Sequence, residues 1–209
     1  MNLRFSTREL RDLAVAWIVL GAAFAIFFAG GGNRAIDSLV SDGVLVPLVV
    51  SLVTAGFAFL LHELAHKVTA VRFGQVAEFR ADYGMLFLAL VSALVGFLFA
   101  APGAVHHRGR LTPREHGLIA LAGPITNGLL AVVFAPVYVV GLAIGSPLLS
   151  LVGGRGVAIN LFLAAFNLIP FGALDGRTVL DWSKPVFLIT FVPALLLTIA
   201  VVFVLGIGF

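Results

Sequence analysis

Six long apolar stretches divide this chain, at about 13–31, 43–66, 85–101, 117–145, 157–174 and 185–208. A helix needs roughly 20 mostly apolar residues to cross the hydrocarbon core of a bilayer, so each stretch is a candidate span. Inside that core every backbone N–H and C=O must find a partner within the protein, which leaves the helix as the default element. Composition agrees: 61% of the residues are hydrophobic and 11% charged, with a mean hydropathy of +1.13. Soluble domains carry about 25% charged residues. The expectation is an all-α polytopic membrane protein, a single integral-membrane domain over 1–209, with about five to six transmembrane helices. The basic N-terminal segment before the first stretch resembles a signal peptide, but the apolar part is too long and Gly30-Gly31-Gly32 lacks a small-residue cleavage pattern. It reads as an uncleaved first span. A net charge of +3 on scattered basic residues excludes nucleic acid as an expected partner. The absence of cysteine leaves only His, Asp and Glu as metal ligands.

The third stretch decides the topology. If all six cross and the N-terminus is cytoplasmic, the basic residues divide seven inside to six outside, with no bias. If 85–101 only enters the membrane and returns, eleven of the thirteen lie on the cytoplasmic side, leaving Arg34 and Arg155 outside. The positive-inside rule favours the second arrangement. The segment near 74–110 is then a re-entrant or partly extended membrane segment, permissible where protein or water satisfies its backbone. Gly145-Ser-Pro-Leu to Gly153-Gly154-Arg155-Gly156 reads as an outside turn between helices.

Ionisable side chains inside a span are costly and mark function. The second stretch ends in His62-Glu63-Leu-Ala-His66. On a helix, residues four apart project from one face, so the two imidazoles stand one turn apart. This is the H-E-x-x-H arrangement, in which the histidines bind one zinc ion and the glutamate handles the protons of a water. Catalytic zinc takes three protein ligands and keeps one position open. Without cysteine the third must be a remote His, Asp or Glu, and Asp175, at the end of the 157–174 stretch, is the candidate. Only if 85–101 turns back do His66 and Asp175 finish on the same side of the membrane, so charge bias and metal geometry agree.

Pro170 and Gly172 interrupt the helix leading to Asp175 and free backbone groups. Asn167 precedes that break, where its amide either assists an oxyanion or an extended substrate backbone or satisfies the broken helix. Asn127, in Ala122-Gly123-Pro124-Ile-Thr-Asn127, reads as structural, with the glycine for close helix packing and the asparagine as a cap. His106, His107 and His116, among Arg108, Arg110 and Arg114, read as a solvated basic loop.

These segments together, His62–His66, Ala122–Asn127 and Asn167-Leu-Ile-Pro170 through Leu174-Asp175-Gly176, resemble the site-2 protease family of intramembrane zinc metalloproteases. The resemblance covers about 55–180. It implies a three-helix catalytic core (about 43–180, with peripheral helices at about 13–31 and 185–208) and one Zn2+ ion held by His62, His66 and Asp175. It also implies Glu63 as the group that activates water, and Asn167 as a residue that assists substrate or oxyanion. Where many members carry a second proline, this chain has Gly172. The implied activity is hydrolysis of a peptide bond in or near a transmembrane helix of a membrane-protein substrate, in a multi-pass cell-membrane protein. Its partners would be that substrate and the lipid bilayer, with the active site toward the cytoplasmic side and the N-terminus cytoplasmic. A membrane metal transporter using buried His and Asp is the alternative from another class, and would spread polar residues over several helices.

Overall fold

The structure is a computed structural model and describes residues 3–41 and 43–208. Five helical segments among the described residues are long and apolar enough to cross a membrane: Thr7–Phe28, Leu45–Arg72, Pro113–Ala143, Pro147–Asn167 and Lys184–Val204. The first is α1 (Thr7–Phe28), followed by α2 (Gly32–Ser41). The second joins α3 (Leu45–Ser51) to α4 (Phe57–Arg72) through a π-helical turn at Leu52–Gly56. The third and fourth are α6 (Pro113–Ala143) and α7 (Pro147–Asn167). After α8 (Asp175–Trp182), the fifth is α9 (Lys184–Thr198) with a π-helical end at Ile199–Val204. The protein is an all-α polytopic membrane protein.

The segment near 74–110 is a strand, a short helix and a second strand: β1 (Val76–Ala81), α5 (Tyr83–Leu94) and β2 (Gly103–Arg108). The 12 residues of α5 reach about 18 Å at 1.5 Å per residue, short of the ~30 Å hydrocarbon core. The strands pair with one another, as a partly extended segment must if its backbone is to be satisfied.

The described residues gather into two compact units, Arg4–Leu60 with Glu78–His106, and Leu61–Ala77 with His107–Phe209. In the first, α1 packs on α5 through Ala23, Ala89 and Ala93. The end of β1 pairs with the start of β2, where Asp82 N donates to Pro102 O at 3.0 Å. Successive residues of a strand turn their N–H groups to opposite sides. Phe79 and Ala81 therefore aim theirs away from β2, and α1 receives them: Phe79 N donates to Glu9 Oε1 at 2.9 Å and Ala81 N to Asp12 Oδ2 at 3.4 Å. Tyr83 completes the set by donating its hydroxyl to Asp12 Oδ1 at 2.7 Å. Two buried carboxylates spaced i, i+3 on a helix thus stand in for a neighbouring strand. At the π-helical turn Trp17 Nε1 donates to Leu52 O at 3.1 Å.

In the second unit α6 begins at a capping box, Thr112 with Glu115, which satisfies two helix-terminal donors. The connection from α6 to α7 is much shorter than the sequence suggests. Ile144, Gly145 (φ +65°) and Ser146, the N-cap of α7, make the whole turn. Gly153, Gly154 and Gly156 are helical, so the expected turn from Gly145 to Gly156 is corrected. The physical reason is packing: a Cβ at Gly153 would lie 2.2 Å from Tyr138 N, and one at Gly156 2.2 Å from Phe134 Cγ. These glycines let two membrane helices touch. The other end of the unit is closed by Ala120, Leu168, Val179 and Phe187, which tie α6, the end of α7, α8 and α9 together. Trp182 lies on Gly117 of α6, where any side chain would collide with its ring.

Candidate active site

Helix α4 places His62 and His66 on one face, both buried, with their rings 4.6 Å apart and nearly perpendicular. Asp175 reaches them from the first residue of α8. After Asn167 the chain leaves α7 through Pro170 and Gly172 (φ +59°) and folds back so that Gly176 abuts Leu168, where a Cβ would lie 2.0 Å from Leu168 O. That turn directs the Asp175 carboxylate inward. Its Oδ2 stands 3.3 Å from His62 Nε2 and 3.4 Å from His66 Nε2. Burial acts to raise the Asp175 pKa, but the His66 and His62 imidazoles beside it prevail and hold it at about 2. Glu63 is buried beside His62.

Three ligand atoms, one from each of His62, His66 and Asp175, lie within 4.8 Å of one another. The fit to zinc can be tested on their spacing. Two atoms each about 2.05 Å from one ion at a tetrahedral angle lie about 3.3 Å apart, and both imidazole–carboxylate separations match. The space for an ion is kept by Gly123 of α6, where a Cβ would fall 2.5 Å from both Nε2 atoms. The donor set is two imidazoles and a carboxylate, as zinc accepts.

The far sides of the imidazoles are held as firmly. His66 Nδ1 lies 2.7 Å from Ile119 O, and a backbone carbonyl can only accept, so Nδ1 carries a proton and Nε2 is the nitrogen left to face a metal. His62 Nδ1 lies 2.6 Å from Asn127 Oδ1. Asn127 is fully buried, and its Nδ2 donates to Asn160 Oδ1 at 3.0 Å. The structural reading of Asn127 as a cap is therefore replaced by one as the partner of His62. Asn160 went unread in the sequence, where an asparagine in the middle of an apolar helix was the available signal. Asn167 donates Nδ2 to Leu163 O at 2.9 Å, an i−4 bond that satisfies the end of α7. His107 and His116 stack edge to face at 5.7 Å, away from this cluster in the same unit.

A polytopic helical protein with a His-His-Asp site and a buried glutamate on the H-E-x-x-H helix is of the membrane zinc metalloprotease class. Comparison with known proteins agrees. "Putative zinc metalloprotease MJ0611" of Methanocaldococcus jannaschii is 42% identical over 192 residues, covering 91% of this chain and 92% of that protein. "Putative zinc metalloprotease YwhC" of Bacillus subtilis is 30% identical over 156 residues, 66% of this chain and 69% of that one. "Putative zinc metalloprotease Rip3" of Mycobacterium tuberculosis is 30% identical over 148 residues, 70% of this chain but 32% of that one. No family model and no solved structure matches the chain. The chain belongs to the site-2 protease family of zinc metalloproteases.

Proposed function

We propose that this protein hydrolyses a peptide bond in or near a transmembrane helix of a membrane-protein substrate, the reaction of regulated intramembrane proteolysis. The observation that carries this reading is the convergence of His62, His66 and Asp175, with Glu63 beside them, on a helix that is itself long and apolar enough to span the bilayer. Bound zinc would supply Lewis acidity, bringing the pKa of a coordinated water toward neutrality and polarising the scissile carbonyl. His62, His66 and Asp175 would be the residues that hold it. Glu63 accepts the proton of the attacking water and passes it to the leaving nitrogen. Asn167 has one N–H engaged by Leu163 O and a second with which to hold a substrate oxygen. The substrate helix must unwind at the cleavage point, because its carbonyls are otherwise engaged by their own hydrogen bonds.

With five spans and a cytoplasmic N-terminus, eleven of the thirteen basic residues fall on the cytoplasmic side, which supports an active site facing the cytoplasm. The test is cleavage of a model membrane-helix substrate by the purified protein in liposomes. Glu63→Gln should lower the rate by at least about a hundredfold, the scale of a lost general base, while zinc remains bound. Undiminished cleavage by that variant, or cleavage confined to soluble peptides, would overturn the proposal.

A further inference from the structure

Behind His62 runs a chain of side-chain amides with a fixed direction. It starts at Gly156 O, a backbone carbonyl in the first half of α7 that can only accept. Asn160 Nδ2 donates to it at 2.8 Å. With its nitrogen placed at Gly156 O, the Asn160 amide turns its oxygen to α6. Asn127 must therefore turn its own nitrogen toward Asn160, and the bond Asn127 Nδ2 to Asn160 Oδ1 is 3.0 Å. That in turn leaves Asn127 Oδ1 facing His62 Nδ1 at 2.6 Å. An oxygen in that place needs a proton on Nδ1, which leaves the lone pair of His62 on Nε2, the atom that faces Asp175. Both asparagines are completely buried, so no water competes to reverse either amide, and a reversed link would leave buried polar atoms unpaired at about 1–3 kcal/mol each.

We propose that Asn160 is a positioning residue for the metal site: its amide, anchored on Gly156 O, sets the orientation of Asn127 and through it the tautomer of His62 that can bind zinc. This rests on the reading of His62 as a zinc ligand. His66 needs no such relay, since its Nδ1 meets a backbone carbonyl directly. The two ligands of one helix are thus fixed by different means, one by the main chain of α6 and one by the main chain of α7 through two side chains.

The distinguishing feature of the relay is its direction, and Asn127→Asp removes the need for it. A carboxylate accepts from His62 Nδ1 whichever oxygen faces the ring, so nothing further back has to orient it. The experiment measures zinc affinity by chelator competition on the full-length protein in detergent, with thermal melting of the metal-free forms as the control for folding. Four proteins are compared: wild type, Asn160→Leu, Asn127→Asp and the double variant. Asn160→Leu, which is close to isosteric, should weaken zinc binding by about tenfold or more, the scale reported for partners of metal ligands. The double variant should bind zinc at least as tightly as Asn127→Asp alone, because the carboxylate has made Asn160 dispensable and no longer meets the Asn160 oxygen. Asn160→Leu binding zinc as tightly as wild type would overturn the relay. An equal loss in both backgrounds would also overturn it, since that is the signature of packing alone. Should the leucine variant not fold, Asn160→Ala carries the same expectations. A wild-type protein that bound no zinc would overturn the metal site itself and the relay with it, whereas the other two failures leave the metal site standing.

Discussion

Asn127 Oδ1 lies 2.6 Å from His62 Nδ1, on the opposite edge of the ring from the Nε2 that faces Asp175. A ligand held from behind by a buried acceptor keeps both its orientation and its basicity. Asn127→Ala should therefore weaken zinc binding by about 10- to 100-fold, read by competition with a chelator of known affinity. Activity should recover when excess zinc is supplied, because no catalytic group has been removed. Unchanged affinity would show that His62 is held by other contacts.

Gly123 keeps the space between the imidazoles open. A methyl group there would sit 2.5 Å from both Nε2 atoms, inside the volume an ion needs. Gly123→Ala should abolish zinc binding and cleavage together. The metal-free protein should also melt below the wild-type temperature, since both imidazoles are held from behind and must shift to admit the methyl. Full zinc occupancy in this variant would mean that the ion sits elsewhere.

Gly176 is close to backbone rather than to ligands, and substitution there should behave differently. Its Cβ would lie 2.0 Å from Leu168 O, so the turn that delivers Asp175 has to open. Gly176→Ala is expected to cost about 1–3 kcal/mol, as overpacked sites do, and to lower zinc affinity as the third ligand withdraws. Zinc binding separates the two glycines: Gly123→Ala abolishes it, whereas Gly176→Ala weakens it.

In the other unit the carboxylates of Glu9 and Asp12 take the N–H groups on the outer side of β1. Glu9→Ala leaves the Phe79 N–H buried without an acceptor and should destabilise by about 1–3 kcal/mol. Glu9→Gln keeps an oxygen in place and should cost less. Zinc stoichiometry should be unaffected in both. Equal melting temperatures for the alanine and glutamine variants would contradict this role.

The parts of the site that follow from local spacing were legible in the sequence. His62 and His66 are four apart on one helix, and a metal needs both, so their meeting follows from helix geometry alone. Asp175 could be reached by elimination, since no cysteine exists and few acids lie near a span end. The non-crossing of 85–101 followed from the placement of arginines, a property summed over the whole chain. What escaped were features that depend on which helix lies opposite. Asn127 and Asn160 are 33 residues apart, and nothing local distinguishes an asparagine that caps a helix from one that bonds across to a neighbour. Glycines are ambiguous in the same way: Gly153 and Gly156 serve either a turn or a close helix contact, and only the position of Tyr138 and Phe134 decides. The carboxylate edge on β1 escaped because Glu9 and Asp12 sit at a basic helix start that looks solvated.

The third ligand also arrives late. His62 and His66 emerge early in synthesis, but Asp175 follows only after α6 and α7 have been made and the turn behind Leu168 has closed. A chain interrupted before that point holds two imidazoles and no carboxylate to complete the triad. The candidate metal site is thus completed only after the two histidines have long been part of the chain.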